Sequence, residues 1–357
     1  MTVTRVPVRD DLADLTPYGA PQLDVAVRLN TNETPTPPPA DVMEQIGKRV
    51  AALALNRYPD RRATALRVAL GQRAGLGPEQ VWAANGSNEV FTQLFQAYGG
   101  PGRRLLLFSP GYAAHPLLAR VTLTPVVTAP LDDDFRLSAP AAAAAVAEHD
   151  PDLVCVVSPN NPTGAPVDLD VVRALHDAGH ALVVVDEAYV EFGAPSALAL
   201  LAELPRLVVT RTFSKAWRMA GVRLGYLYGP AWVVDDLRKV RLPYHLDALT
   251  MEAGLVAIER ADEVTAHVAE VAQERERLRA GLAALPGVEV FASAANFLLF
   301  RTAVADLFER LLARGVLVRD FSSAPRLAGC LRVTVGTPEE DDTFLAALAT
   351  ALQEGSP

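Results

Sequence analysis

Lys215 stands in the stretch Thr210-Arg-Thr-Phe-Ser-Lys-Ala-Trp-Arg-Met-Ala-Gly-Val-Arg-Leu-Gly225, one amine set between hydroxyls and a second cation, just after a run of strand-forming residues. Such an amine condenses with a carbonyl to give a Schiff base, and pyridoxal phosphate is the carbonyl cofactor that most often uses that reaction. The cofactor's phosphate would need donors. Ser214, Thr212 and Arg223 supply two hydroxyls and a planar guanidinium fork that suits a phosphate. Taken alone, the same residues also read as a surface Ser-Lys pair and a solvated arginine. Leu207-Val-Val209 predicts the end of a buried strand, so Ser214 and Lys215 fall on the turn at its edge, where open α/β sheets hold ligands.

Four further loops sit where apolar runs end. Asn85-Gly-Ser-Asn-Glu89 follows the strand-like Val81-Trp-Ala-Ala84 and opens a helix pattern, so the backbone N–H groups of Ser87 and Asn88 could receive an anion; the same residues also fit a plain helix N-cap. Ser158-Pro-Asn-Asn-Pro-Thr-Gly164 is a stiff loop able to present Asn161 to a ligand. Val183-Val-Val-Asp-Glu-Ala-Tyr189 ends a strand on Asp186, with Tyr189 three residues on, and Ser109-Pro-Gly-Tyr112 offers an aromatic face. Each of these, met singly, is also an ordinary turn or cap.

The prolines of the first forty residues forbid a long helix or a central strand there and predict an irregular arm. Helical spacing predicts helices over 41–55 and 64–75. Short apolar runs at 105–108, 124–127, 153–157, 182–185, 207–209 and 224–228 then alternate with helical stretches such as 139–147 and 169–178. That alternation implies an α/β fold with a mostly parallel sheet covered on both faces. Beyond Pro243 the pattern changes to helices over 248–259 and 264–285, strands over 288–291, 297–300, 316–318 and 330–335, and helices over 305–313 and 338–352. These predict a smaller α+β domain. The division read from the sequence is an arm with part of the small domain (1–45), a large cofactor-binding domain (46–245) and a C-terminal small domain (246–357).

The composition narrows the partners. A 357-residue chain with 50% hydrophobic residues can bury a sizeable core, and a net charge of −9 argues against a nucleic-acid surface. Two cysteines, Cys155 and Cys330, give neither a disulfide framework nor a metal pair. His115, His176 and His245 show no metal-like pairing and are expected to be surface or core residues. No signal-peptide core or membrane-length apolar run is present, so the expectation is a cytoplasmic protein with small-molecule partners, no metal and no membrane.

In order, these motifs resemble the fold type I pyridoxal-phosphate-dependent aminotransferases, and among them the histidinol-phosphate aminotransferase group. The resemblance also rests on Leu15-Thr-Pro-Tyr18, Asn32-Glu33, Asn56-Arg-Tyr-Pro59, Ala220-Gly-Val-Arg223 and Cys330-Leu-Arg-Val-Thr-Val-Gly336, and so covers almost the whole chain. It implies that Lys215 carries the cofactor and serves as base and then acid, and that Asp186 faces the pyridine nitrogen. It implies further that Asn161 and Tyr189 bind the ring oxygen and Tyr112 stacks on the ring. The phosphate falls to Ser87, Asn88, Ser214 and Arg223, with Tyr58 from a second subunit, which implies a homodimer with shared sites. Arg332 resembles the arginine for the α-carboxylate of glutamate, and Tyr18 with Arg319 the elements that meet the phosphate of histidinol phosphate. The implied reaction pairs histidinol phosphate with 2-oxoglutarate in histidine biosynthesis. The chain departs from the group at Thr34, Thr36, Arg218 and the Ala113-Ala-His115 run. Rival readings are an aromatic-amino-acid aminotransferase, a decarboxylase of a phosphorylated amino acid, and a transcription regulator binding the same cofactor; the acidic chain lacks the basic domain that the last would need.

Overall fold

The computed structural model describes residues 6–17 and 19–354. After an irregular arm come β1 (Val27–Arg28), α1 (Ala40–Ala51), α2 (Thr64–Ala74), β2 (Val81–Ala84), α3 (Ser87–Tyr98), β3 (Leu105–Ser109), α4 (Ala114–Val121), β4 (Val126–Pro130), α5 (Ala139–His149), β5 (Leu153–Val157), α6 (Leu169–Asp177), β6 (Leu182–Asp186), β7 (Leu207–Thr212) and β8 (Gly225–Tyr228). The second half adds α7 (Ala231–Val240), α8 (Ala248–Glu259), α9 (Ala261–Thr265), α10 (Val268–Ala283), β9 (Glu289–Val290), β10 (Phe297–Arg301), α11 (Leu307–Ala313), β11 (Val316–Leu317), β12 (Arg319–Asp320), β13 (Cys330–Thr334) and α12 (Pro338–Gln353).

Among the described residues, a seven-stranded sheet runs in the order β2-β8-β7-β6-β5-β3-β4. Its β4-β3-β5-β6-β7 block is parallel, while β8 pairs antiparallel with β7 and β2. The fold is α/β, as the alternation of apolar runs and helices predicts. Strands such as Leu153–Val157 are buried throughout because helices cover both faces. From β3 the chain steps outward to β4 and then back across to β5, so the sheet has its switch point between β3 and β5. A four-stranded sheet, β12-β13-β10-β9, forms the core of the second lobe.

Several elements differ from the sequence expectation. The helix expected over 264–285 is broken at His267, whose Nδ1 lies 3.0 Å from the Val264 carbonyl, the acceptor that a continuous helix would give to residue 268. The strand expected over 124–127 starts at Val126 instead. Thr124 closes α4 with its backbone N–H on Ala119, and its hydroxyl accepts from Gly100. Helix α1 stops at Ala51 rather than at 55. Within the irregular arm, Val27–Arg28 adds a short parallel pair to Val316–Leu317, tying the arm to the second lobe.

Candidate active site

The ends of β3, β5, β6 and β7, with the turn before α3, converge on one pocket. Its cavity of about 280 Å³ is lined by Ser87, Asn88, Tyr112, Asn161, Asp186, Tyr189, Thr212, Ser214, Lys215, Arg223, Arg319 and Arg332, together with Asn30, Thr31, Asn32 and Phe321. The motifs picked out in the sequence for phosphate, ring and carboxylate thus face one space. Two expected residues are not in it. Tyr18 lies outside the described residues, and Tyr58 is 79% exposed with its ring stacked 4.3 Å from Tyr244.

An anion cradle forms at one end. Gly86 caps α3 without a side chain, and neither Ser87 nor Asn88 caps it in its place, so the reading of these residues as a plain side-chain cap does not hold. A Cβ on Gly225 would lie 2.2 Å from Ser87 N, so β8 reaches this turn only as glycine. That close approach brings in Arg223, whose Nη1 donates to Ser214 Oγ at 3.2 Å, while Thr212 Oγ1 donates to the same oxygen at 3.0 Å. Arg223 itself holds φ +57°, a left-handed conformation unfavourable outside glycine that aims its side chain at the cradle.

Lys215 projects between the two lobes. Its Nζ donates to the Thr31 carbonyl at 2.9 Å, and its own carbonyl accepts from Thr34 Oγ1 at 3.0 Å. Burial, then the Arg332 charge, and in smaller measure Arg223, pull its pKa down to about 7 from the usual 10.5, against an opposing pull from Glu33. A lysine so placed has a neutral, nucleophilic amine available near neutral pH.

Asp186, 2% exposed, ends β6 and accepts from the Ala188 N–H at 3.2 Å. Nε2 of His115 lies 3.4 Å from its carboxylate. His115 is a core residue, as expected, but its place against Asp186 was not visible in the sequence; the one available signal was its spacing of three from Tyr112. His176 is buried and His245 half-buried against Trp82, and no metal-binding cluster occurs among the described residues.

The opposite wall combines residues of the arm, the large sheet's loops and the second lobe. Asn161 Nδ2 and Asn32 Nδ2 both donate to the Tyr189 hydroxyl, at 3.3 and 3.0 Å. Arg332 donates to Asn161 Oδ1 at 2.6 Å and to the Asn30 carbonyl at 2.8 Å, and its guanidinium carbon lies 5.2 and 5.4 Å from the ring centres of Phe297 and Phe321. Arg319 is its cross-strand partner in β12 and also donates to the Gly19 carbonyl at 3.3 Å. The whole is a space with an amine nucleophile, a buried carboxylate, an anion cradle at one end and paired arginines at the other, the elements that amine-transfer chemistry on a bound carbonyl cofactor requires.

Residues 24–348 match the family described as aminotransferase class I and II, and the chain belongs to that family. It is 51% identical to a histidinol-phosphate aminotransferase of Thermobifida fusca, over 98% of this chain and 96% of the relative. It is 45% identical to one of Corynebacterium diphtheriae, over 99% of each. The fold superposes, with a TM-score of 0.90 at 24% identity and full coverage of both chains, on the crystal structure of histidinol-phosphate aminotransferase from Sinorhizobium meliloti in complex with pyridoxal-5'-phosphate.

Proposed function

We propose that this enzyme is a pyridoxal-phosphate-dependent transaminase that exchanges the amino group of L-histidinol phosphate with 2-oxoglutarate, giving imidazole-acetol phosphate and glutamate. The observation that carries the substrate choice is the register of Arg319 opposite Arg332 in β12 and β13. Like charges directly across a ladder cost stability, and both side chains line the pocket. The pair is therefore suited to anionic groups brought in by substrates, a phosphate in one half-reaction and carboxylates in the other. The names of the relatives at 45–51% identity support the same reading.

The pocket's residues fit the cofactor: a Cβ at Gly86 would meet Arg223 at 2.6 Å, so that end of the pocket is shaped as a cradle, and a depressed-pKa amine and a buried carboxylate face it. When bound, the cofactor supplies a protonated pyridine ring as the electron sink. Asp186 stabilises that ring's positive charge, a carboxylate beside a cation favouring the charged form. Ser87 and Asn88 N–H groups, Ser214 and Arg223 would hold the phosphate, Tyr112 would lie against the ring, and Asn161 and Tyr189 would serve its oxygen. Lys215 would hold the cofactor through its amine and, when that amine is free, would serve as the base for the substrate's Cα proton and then as the acid that gives a proton back.

The same reading places Tyr58 in the site of a second copy of the chain, with Tyr18 of the arm near the substrate phosphate. Leu55, Tyr58, Leu242 and Tyr244 are exposed, an apolar surface suited to burial in a homodimer. The division into an arm, a large domain and a small domain belongs to this proposal, with α1 running through the 45/46 boundary, as does cytoplasmic residence. No described helix is long and apolar enough to cross a membrane.

A substrate panel with and without 2-oxoglutarate tests the proposal. Histidinol phosphate is expected to be the best amino donor, and Arg319→Ala to lower its kcat/KM by at least about tenfold while lowering that for phenylalanine less. Phenylalanine or tyrosine as the better donor points to an aromatic aminotransferase; carbon dioxide release without 2-oxoglutarate points to a decarboxylase.

A further inference from the structure

Behind the pocket, three titratable side chains touch in series. Cys155 in β5 places its Sγ 3.5 Å from Nδ1 of His115, and the other ring nitrogen of His115 lies 3.4 Å from Oδ2 of Asp186. Cysteine, histidine and aspartate are all buried. A carboxylate oxygen and an imidazole lone pair repel at such a distance, which requires the hydrogen on Nε2.

The remaining question is what Nδ1 carries. Burial, with a further push from the Asp186 charge, raises the Cys155 thiol well above its ordinary range, so the sulfur keeps its hydrogen and has one to donate. The groups facing the imidazole are the Asp186 carboxylate from β6, the Cys155 thiol from β5, the Tyr112 ring at 5.1 Å on the turn before α4, and the Phe91 ring at 4.2 Å from α3. Only one of them is charged at neutral pH.

We infer that Cys155 donates its thiol hydrogen to His115 Nδ1 and so holds the imidazole neutral, leaving the negative charge of Asp186 to the cofactor's pyridine nitrogen. The last clause rests on the function proposed above; the hydrogen-bond assignment stands on these three side chains alone. Cys155 is a positioning residue, acting through His115 on Asp186 and touching neither substrate nor cofactor. The thiol does in the protein's interior what a water would do at its surface: it occupies the lone pair that otherwise collects a proton.

The test reads the imidazole directly. In the full chain labelled with 15N-histidine, with and without cofactor, two-bond 1H–15N correlations distinguish protonated from unprotonated ring nitrogens, and His115→Gln identifies the signal. The parent is expected to show Nε2 protonated and Nδ1 bare at pH 7. Cys155→Ala and the volume-matched Cys155→Val, which lack the donor, should each raise the ratio of doubly to singly protonated His115 at pH 7 by about tenfold. Cys155→Ser, which keeps one, should restore the parent pattern. A doubly protonated His115 in the parent overturns the inference by itself. So does a spectrum unchanged in whichever of the two donor-free variants folds. Failure of histidinol phosphate as a substrate leaves the ring spectrum as predicted, so the two readings fail separately.

Discussion

The depressed pKa of Lys215 is open to direct measurement. At its usual value of 10.5 about one lysine in 3,000 would be neutral at pH 7, whereas at about 7 half of the Lys215 amines are. In the cofactor-free chain, trace acetylation across pH followed by peptide mass spectrometry should give Lys215 a midpoint near 7. Lys239 serves as an internal reference, since its hydrogen bond to Asp236 holds it above the ordinary lysine range. Substitutions should follow the order of the causes: Arg332→Gln moves the midpoint up, Arg223→Gln moves it up by less, and Glu33→Gln moves it down, while burial keeps every one of them below 10.5. The linkage has a definite sign. Between pH 7 and 10.5 the unfolded chain binds a proton on this lysine that the folded chain does not, so stability of the cofactor-free protein rises with pH across that window, and Lys215→Met flattens the rise. Lys215 labelling together with Lys239, or a midpoint unmoved by Arg332→Gln, would refute the argument from burial and neighbouring charge.

Two other substitutions probe the proposed roles. Asp186→Ala should retain cofactor, since the phosphate cradle is untouched, yet lower kcat at least about thirtyfold, the effect of losing roughly 2 kcal/mol from a buried charge pair; near-parent turnover in steady-state assays counts against its role at the pyridine nitrogen. Mixing inactive Tyr58→Ala chains with inactive Lys215→Ala chains should restore part of the activity if each site draws on both subunits, and full activity from a monomer in sedimentation experiments excludes sharing.

What the sequence made legible is what short-range pattern can carry. Lys215, Asp186, Asn161 and Tyr112 each follow a strand-forming run, and the ends of parallel strands meet along one edge, so local motifs converge without knowledge of the tertiary path. The partners supplied from far along the chain were hidden. The Thr31 carbonyl under Lys215 is a backbone atom, which no residue type announces, and the bond from Asn32 to Tyr189 spans 157 positions. The break at His267 was missed for a related reason: a side chain competing for one carbonyl leaves the apolar period of the surrounding helix unchanged. Strand β1 was hidden because two residues paired with β11 carry too little pattern to separate from a proline-rich arm.

The segment from Asn30 to Thr34 has a consequence for how the protein is made. Its carbonyls and side chains bond Arg332, Lys215, Tyr189, Thr334 and Asn296, partners emerging from the ribosome some 150 to 300 residues later. The cradle around Ser87, Ser214 and Arg223 needs only the chain through β8. Closing a loop so long is entropically expensive until its contacts form together. A nascent chain can therefore shape the phosphate end of its pocket while the wall over Lys215 is still missing, and that wall closes only once β13 has been synthesised and paired.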